Sequence, residues 1–164
     1  MGNAEGKPSE AVGDDAAAEG DDGSEGPAPK QTNIKITHNV SYVPGRPEKQ
    51  RGYTKQALDV YQPEGDPPPG GWPVLIHIHG GGWRRGDRAI SWFGSPPLCT
   101  SFAENGVLAF APSYRVQNWL WHQADCQAAI EWAFSIGIEA FGGNPRQVYL
   151  SGHSAGGNIV ALCG

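Results

Sequence analysis

Two short runs in this chain hold residue types that can do covalent chemistry. One is His79-Gly80-Gly81-Gly82-Trp83 and the other is Gly152-His153-Ser154-Ala155-Gly156. The second fits G-x-S-x-G, in which a sharp strand-to-helix turn exposes a serine hydroxyl. Gly152 and Gly156 flank Ser154, with small Ala155 beside it, where bulky side chains would clash with the turn. A hydroxyl is a weak nucleophile until a base takes its proton. The N–H of Ala155 falls at a helix N-terminus, so it can donate to a developing oxyanion with help from the helix dipole. The first run fits the HGGG loop, in which the N–H groups of Gly81 and Gly82 would supply further donors. Glycine there lets a substrate carbonyl approach the backbone closely. Losing one such donor costs roughly 3–4 kcal/mol of barrier. The chemistry these residues fit is acyl transfer: hydrolysis of an ester, thioester or amide through an acyl group on Ser154.

Each run alone is a weak signal. A glycine-flanked serine can be a plain turn, and a glycine run can be a loop or a phosphate cradle. Here both occur, in order, each directly after an apolar strand, which is the context these motifs need. A nucleotide-binding reading is weaker, because Gly80-Gly81-Gly82 lacks G-x-G-x-x-G spacing and no P-loop lysine follows.

The elements that must position these runs can be read from patterning. Ile34 to Val43 alternates apolar and polar residues and reads as a strand stopped by Pro44-Gly45 and Pro47. Leu58 to Tyr61 is a second short strand, expected to pair antiparallel with the first at a sheet edge. Val74 to His79 is a buried strand feeding the glycine run, and Val107 to Ala111 is another, broken by Pro112. Ser95 to Asn105 is weakly helical. Gln123 to Phe141 is the clearest helix, with Ala129, Trp132, Ala133, Ile136 and Ala140 forming one apolar stripe. Gly142-Gly143 and Asn144-Pro145 end it. Gln147 to Gly152 is the strand leading into Ser154, and a new helix starts near Ala155. This alternation predicts an α/β protein with a parallel sheet and crossover helices. There are no internal repeats, and most of the six tryptophans, Trp92 among them, flank the motif regions.

Composition bounds the rest. Residues 1–30 hold eight acids and two bases, a net of −6, with Val12 as the one larger apolar residue after Met1. Such a stretch cannot bury enough apolar surface to offset its ordering entropy and is expected to be a disordered tail. The whole chain carries −5, so the remaining 134 residues stand near +1. The acidic balance belongs to the tail, and no basic stripe suggests nucleic acid. Cys99, Cys126 and Cys163 have no metal-like spacing and read as reduced packing residues, which suits the cytoplasm. There is no secretory h-region and no run long enough to span a membrane. Met1-Gly2 begins like a myristoylation site but Gly6 stands where Ser or Thr is wanted.

With these residues in view, the chain resembles the α/β-hydrolase superfamily. It is most similar to the esterase and lipase group with an HGGGW loop and a G-H-S-A-G-G elbow. That group includes hormone-sensitive-lipase-like, feruloyl-esterase-like and kynurenine-formamidase-like enzymes. Further matches are Leu58-Asp59-Val60-Tyr61, Ser113-Tyr114-Arg115, Asp125 with Trp132, and Phe141-Gly142-Gly143-Asn144-Pro145. After Tyr114-Arg115 the chain has Val116-Gln117-Asn118-Trp119 in place of a Leu-Ala-Pro-like segment. That departure keeps the feruloyl-esterase-like and formamidase-like groups at least as close as the lipase-like one. The resemblance covers Ile34 to Gly164. It implies a partial α/β-hydrolase domain over 31–164, namely the N-terminal half of the sheet, cut after the elbow. It further implies a cofactor-free, metal-free serine hydrolase of small-molecule carboxylic esters or amides. Ser154 would be the nucleophile and Gly81, Gly82 and Ala155 the oxyanion donors.

In that fold the triad runs Ser, then Asp or Glu, then His. The ten residues after Ser154 include no acid and no histidine. Upstream, His153 is expected to point away on the turn, His79 to hydrogen-bond beneath the glycine loop, and His77 to be a satisfied core residue. His38 and His122 fall in an edge strand and a helix start. Asp59, Asp87 and Asp125 read as caps or salt-bridge partners. The expectation is therefore that these 164 residues alone are a poor hydrolase with an exposed sheet edge. The alternative is a truncated, non-catalytic product that binds acyl ligands or pairs with a second polypeptide.

Overall fold

Three apolar runs, too short for helices and bounded by proline or glycine, form the middle of a sheet. The computed structural model describes residues 33–44, 55–90 and 94–163. The acidic stretch 1–30 with its Met1-Gly2 start, the stop at Pro47, and Trp92 lie outside the described residues. The strands are β1 (Ile34–Ser41), β2 (Ala57–Pro63), β3 (Trp72–Ile78), β4 (Leu108–Pro112) and β5 (Gly143–Gly152). Their order across the sheet is β1-β2-β4-β3-β5. β1 and β2 form the expected antiparallel edge pair, and β2 is also antiparallel to β4. β3 runs parallel to both β4 and β5. Every residue of β4 is buried, as a strand covered on both faces requires.

Helices cover the two faces unequally. α1 (Ser95–Glu104), with Pro96 and Pro97 in its first turn, joins β3 to β4. It buries Cys99 and Ala103 against Tyr61, Leu75, Ala109 and Ala111. α2 (Trp119–Trp132) starts at Asn118, whose side chain caps the N–H of Leu120 at 3.1 Å. It continues through a π-helical turn (Ala133–Gly137) into α3 (Ile138–Ala140). This segment and α4 (Ala155–Cys163) cover the opposite face, over Val74, Ile76, Ile78, Leu108 and Phe110. The three cysteines are free thiols; Cys99 and Cys126 are buried.

Three features differ from the sequence expectation. α2 begins four residues before Gln123 because Asn118 supplies the cap. Its apolar stripe does not run straight: Ala129 and Ala133 are buried, but Ile136 is 55% exposed and Ile138 is only 2% exposed. The π turn inserts one residue, which rotates the inward face from position 136 to 137 and 138. β5 begins at Gly143, which pairs with Trp72, and a register shift follows before Val74 meets Val148. Within that irregular stretch Asn144 Oδ1 accepts the N–H of Arg146 at 2.9 Å. Among the described residues, β5 has no partner on its outer side, and Tyr149 stands 60% exposed there.

Candidate active site

β3 and β5 bring the two motifs together. Their register pairs His77 with Ser151 and Ile78 with Gly152, so both strands end side by side. His77 Nδ1 lies 2.8 Å from Ser151 Oγ, and the N–H of His153 donates to Ile78 O at 3.1 Å. The glycine loop and the serine turn therefore leave the sheet at the same end.

Ser154 sits in the left-handed region, φ 53°. A non-glycine residue there is strained by order 1–3 kcal/mol and persists only where its surroundings hold it. Here Gly156 N–H donates to His153 O at 2.9 Å, and Ser154 O accepts Asn158 N–H at 3.2 Å as α4 begins. A β-carbon at Gly156 would press on Ile78 O and lie 2.6 Å from His79 O, so the turn can reach β3 only with glycine there. Ala155, the first residue of α4, is buried.

The loop after β3 folds back on itself. Gly81, Gly82 and Trp83 all have positive φ, and Gly81 O accepts the N–H groups of Arg84 and Arg85 at 3.3 and 3.2 Å. The loop touches the serine turn: a β-carbon at Gly80 would lie 2.7 Å from His153 O and 3.3 Å from Ser154 Cβ. At Gly82 the same position meets nothing within 4 Å. Among the described residues, the N–H groups of Gly81, Gly82 and Ala155 donate to none of the turn, loop or cap hydrogen bonds.

Side chains anchor this loop from below. His79 Nδ1 lies 2.7 Å from Gly80 O, and its ring stacks on Tyr114 at 4.3 Å, while Tyr114 O–H donates to His79 O at 3.0 Å. Burial pushes the His79 pKa down to about 4, against the opposing pull of the Gly80 carbonyl. The ring is thus neutral and its proton sits on Nδ1. Burial also lowers His77, helped by nearby His153. Lys55 Nζ donates to Gly86 O at 2.7 Å and to Asp87 at 2.6 Å. Arg88, 1% exposed, donates through Nε to Asp59 Oδ1 at 2.9 Å, through a terminal nitrogen to Ser113 Oγ at 3.0 Å, and also to Asn39 Oδ1. Asp59 further accepts from Asn39 N–H and contacts His38 Nδ1, each at 2.9 Å. Asp125 holds Arg115 at 2.8 Å. These acids are structural ion-pair partners, as expected; His77 is committed to Ser151 on β5, and His79 beneath the loop.

A cleft of about 620 Å³ is lined by Gly81, Gly82, Arg84, Arg85, His153 and Ser154. A second, of about 470 Å³, shares Gly82 and Arg84 and extends over Trp83, Gln117, His122 and Asn158. Three of the four residues singled out in the sequence, Ser154, Gly81 and Gly82, meet in the first cleft, and Ala155 is buried next to Ser154. His153 does not point away: its ring lies against Gly80 and it lines the cleft, while its backbone N–H is tied to β3. Among the described residues neither His153 nor any other group hydrogen-bonds the Ser154 hydroxyl. Arg84 and Arg85 belong to neither motif, yet both line this cleft. The signal was the pair of cations directly after Gly82-Trp83. Among the described residues no cluster of His, Cys, Asp or Glu could hold a metal ion, and no helix is long and apolar enough to cross a membrane.

This sheet order, with a glycine loop after β3 and a strained serine after β5, is that of an α/β-hydrolase of the esterase group. The BD-FAE family model matches residues 58–164, and the chain belongs to that family. It is 36% identical over 112 residues to esterase LipC of Mycobacterium tuberculosis, covering 66% of this chain and 27% of LipC. It is 31% identical over 111 residues to the fumonisin B1 esterase of Sphingopyxis macrogoltabida, covering 57% of this chain and 20% of that one. An inhibited esterase B from Lactobacillus rhamnosis superposes with a TM-score of 0.67 at 26% identity, over 82% of this chain and 40% of that one. The chain thus spans a fifth to two fifths of the length of these relatives.

Proposed function

We propose that this chain supplies the nucleophile and the oxyanion-binding groups of a serine hydrolase of carboxylic esters, with amides as the wider substrate class. The observation that carries this is Ser154, held left-handed in one cleft with Gly81 and Gly82. Ser154 Oγ attacks the carbonyl carbon, and the N–H groups of Gly81, Gly82 and Ala155 receive the oxyanion. The alcohol or amine leaves with a proton, and water releases the acyl group from Ser154. The triad acid and histidine come from residues outside these 164. Support for this is the commitment of His77 and His79 to the fold, and the lack of any base on the Ser154 hydroxyl among the described residues.

The test begins with the transcript past the codon for Gly164. A frame continuing to an acid and then a histidine is expected, with a product that hydrolyses 4-nitrophenyl butyrate. Ser154→Ala should lower kcat by at least about 10³-fold. A complete product that cleaves neither this ester nor a formanilide overturns the proposal. The second reading, a non-catalytic acyl-binding product, is favoured by that same lack of a base. A stop after Gly164, with binding but no turnover of the ester, would establish it.

A further inference from the structure

Among the described residues, three cations near the candidate site are already committed. Lys55 is paired with Asp87 at 2.6 Å, Arg88 with Asp59 at 2.9 Å, and Arg115 with Asp125 at 2.8 Å. Arg115 also lies over the Trp121 ring, 4.9 Å from its centroid. Arg84 and Arg85 differ. Among the described residues neither guanidinium has an ion-pair or hydrogen-bond partner, and both line the cleft that holds Ser154. Among the described residues, no carboxylate lines that cleft. Their backbone is fixed by the bonds of both N–H groups to Gly81 O, which sets them within the loop that borders the serine. Arg84 also lines the adjoining cleft, at the junction of the two.

A guanidinium presents a rigid fork of donors that matches a carboxylate, and two unpaired cations at a cleft mouth raise the local concentration of anions. We propose that Arg84 and Arg85 select substrates in which the ester carries a free carboxylate. This rests on the reading of Ser154 as the nucleophile, since the arginines are placed by the cleft they share with it.

Two matched pairs of probes test the selection in the protein. 4-Nitrophenyl hydrogen adipate is compared with its methyl ester, which puts the charge on the acyl side. The butyrate ester of 4-hydroxybenzoic acid is compared with that of methyl 4-hydroxybenzoate, which puts it on the alcohol side. Calorimetric binding of monomethyl adipate against dimethyl adipate gives a readout independent of turnover. Two exposed guanidinium–carboxylate pairs should favour the anion by about tenfold. The preference should shrink as salt rises. It should fall below about twofold in the Arg84→Gln/Arg85→Gln variant and be partly restored by lysine at the same positions. Equal or absent binding of the two adipates, or a preference unchanged in the double variant, overturns the inference. Hydrolysis of the neutral esters with no carboxylate preference sinks the inference and leaves the hydrolase reading standing. Carboxylate-selective binding without hydrolysis of any probe does the reverse.

Discussion

At the scale of single residues, two glycines near Ser154 do different work, and substitution separates them. Gly156 sits where a β-carbon would collide with the carbonyls of Ile78 and His79, backbone atoms at and just past the end of β3 that cannot swing aside. Gly156→Ala should therefore cost about 3 kcal/mol or more of stability by overpacking, and should displace Ser154. Gly82 has open space around the same position, but its φ of +60° favours glycine. Gly82→Ala should cost only about 1 kcal/mol, the strain of a left-handed alanine. Urea unfolding of the two variants side by side checks this; equal losses would show that the serine turn does not depend on contact with β3. The same residue scale explains what the sequence could not reveal about His153. Its ring lies against Gly80 and its N–H bonds Ile78 O, and both contacts are with residues distant in the sequence.

At the scale of elements, the strands were legible wherever a run was apolar and bounded by proline or glycine. β2, β3 and β4 are such runs, and each lies within two residues of its expected place. The antiparallel pairing of β1 with β2 at the sheet edge was also expected, and the structure bears it out. What was not legible is the π turn at Ala133–Gly137. Nothing in a 3.6-residue period announces an inserted residue, so Ile136 counted as part of the inward stripe while Ile138 did not. The glycine at 137 is the trace it leaves: a β-carbon there would lie 2.5 Å from the Trp132 ring. The early start of β5 was hidden for a similar reason. Asn144-Pro145 reads locally as a stop, yet Gly143 pairs with Trp72 across the sheet before that irregularity. In the site, the serine turn and the glycine loop were legible because their chemistry demands particular residues at fixed spacing. The arginine pair beside them was not, since its meaning depends on which other cations find acids.

At the scale of the whole molecule, histidine burial makes stability depend on pH. His79 is 2% exposed, and burial lowers its pKa to about 4 from the usual 6.5. The unfolded chain takes a proton below pH 6.5 that the folded chain refuses until about 4. This contribution is therefore complete above pH 6.5 and is lost as pH falls toward 4. Between pH 7 and 5 the loss from His79 alone should be about 2 kcal/mol. Burial lowers His77 and His122 as well, which acts in the same direction. Urea midpoints at the two pH values check the slope, and His79→Asn should flatten it; an unchanged slope would mean the ring does not stay neutral beneath the loop.

The sheet, the glycine loop and the serine turn converge on one claim, that Ser154 is an acyl-accepting nucleophile. Intact-mass and peptide mapping after treatment of the protein with a fluorophosphonate test it most directly. A single adduct on Ser154, absent in Ser154→Ala, is the predicted result. An unmodified Ser154, or an adduct that persists on another residue in the alanine variant, would contradict the claim.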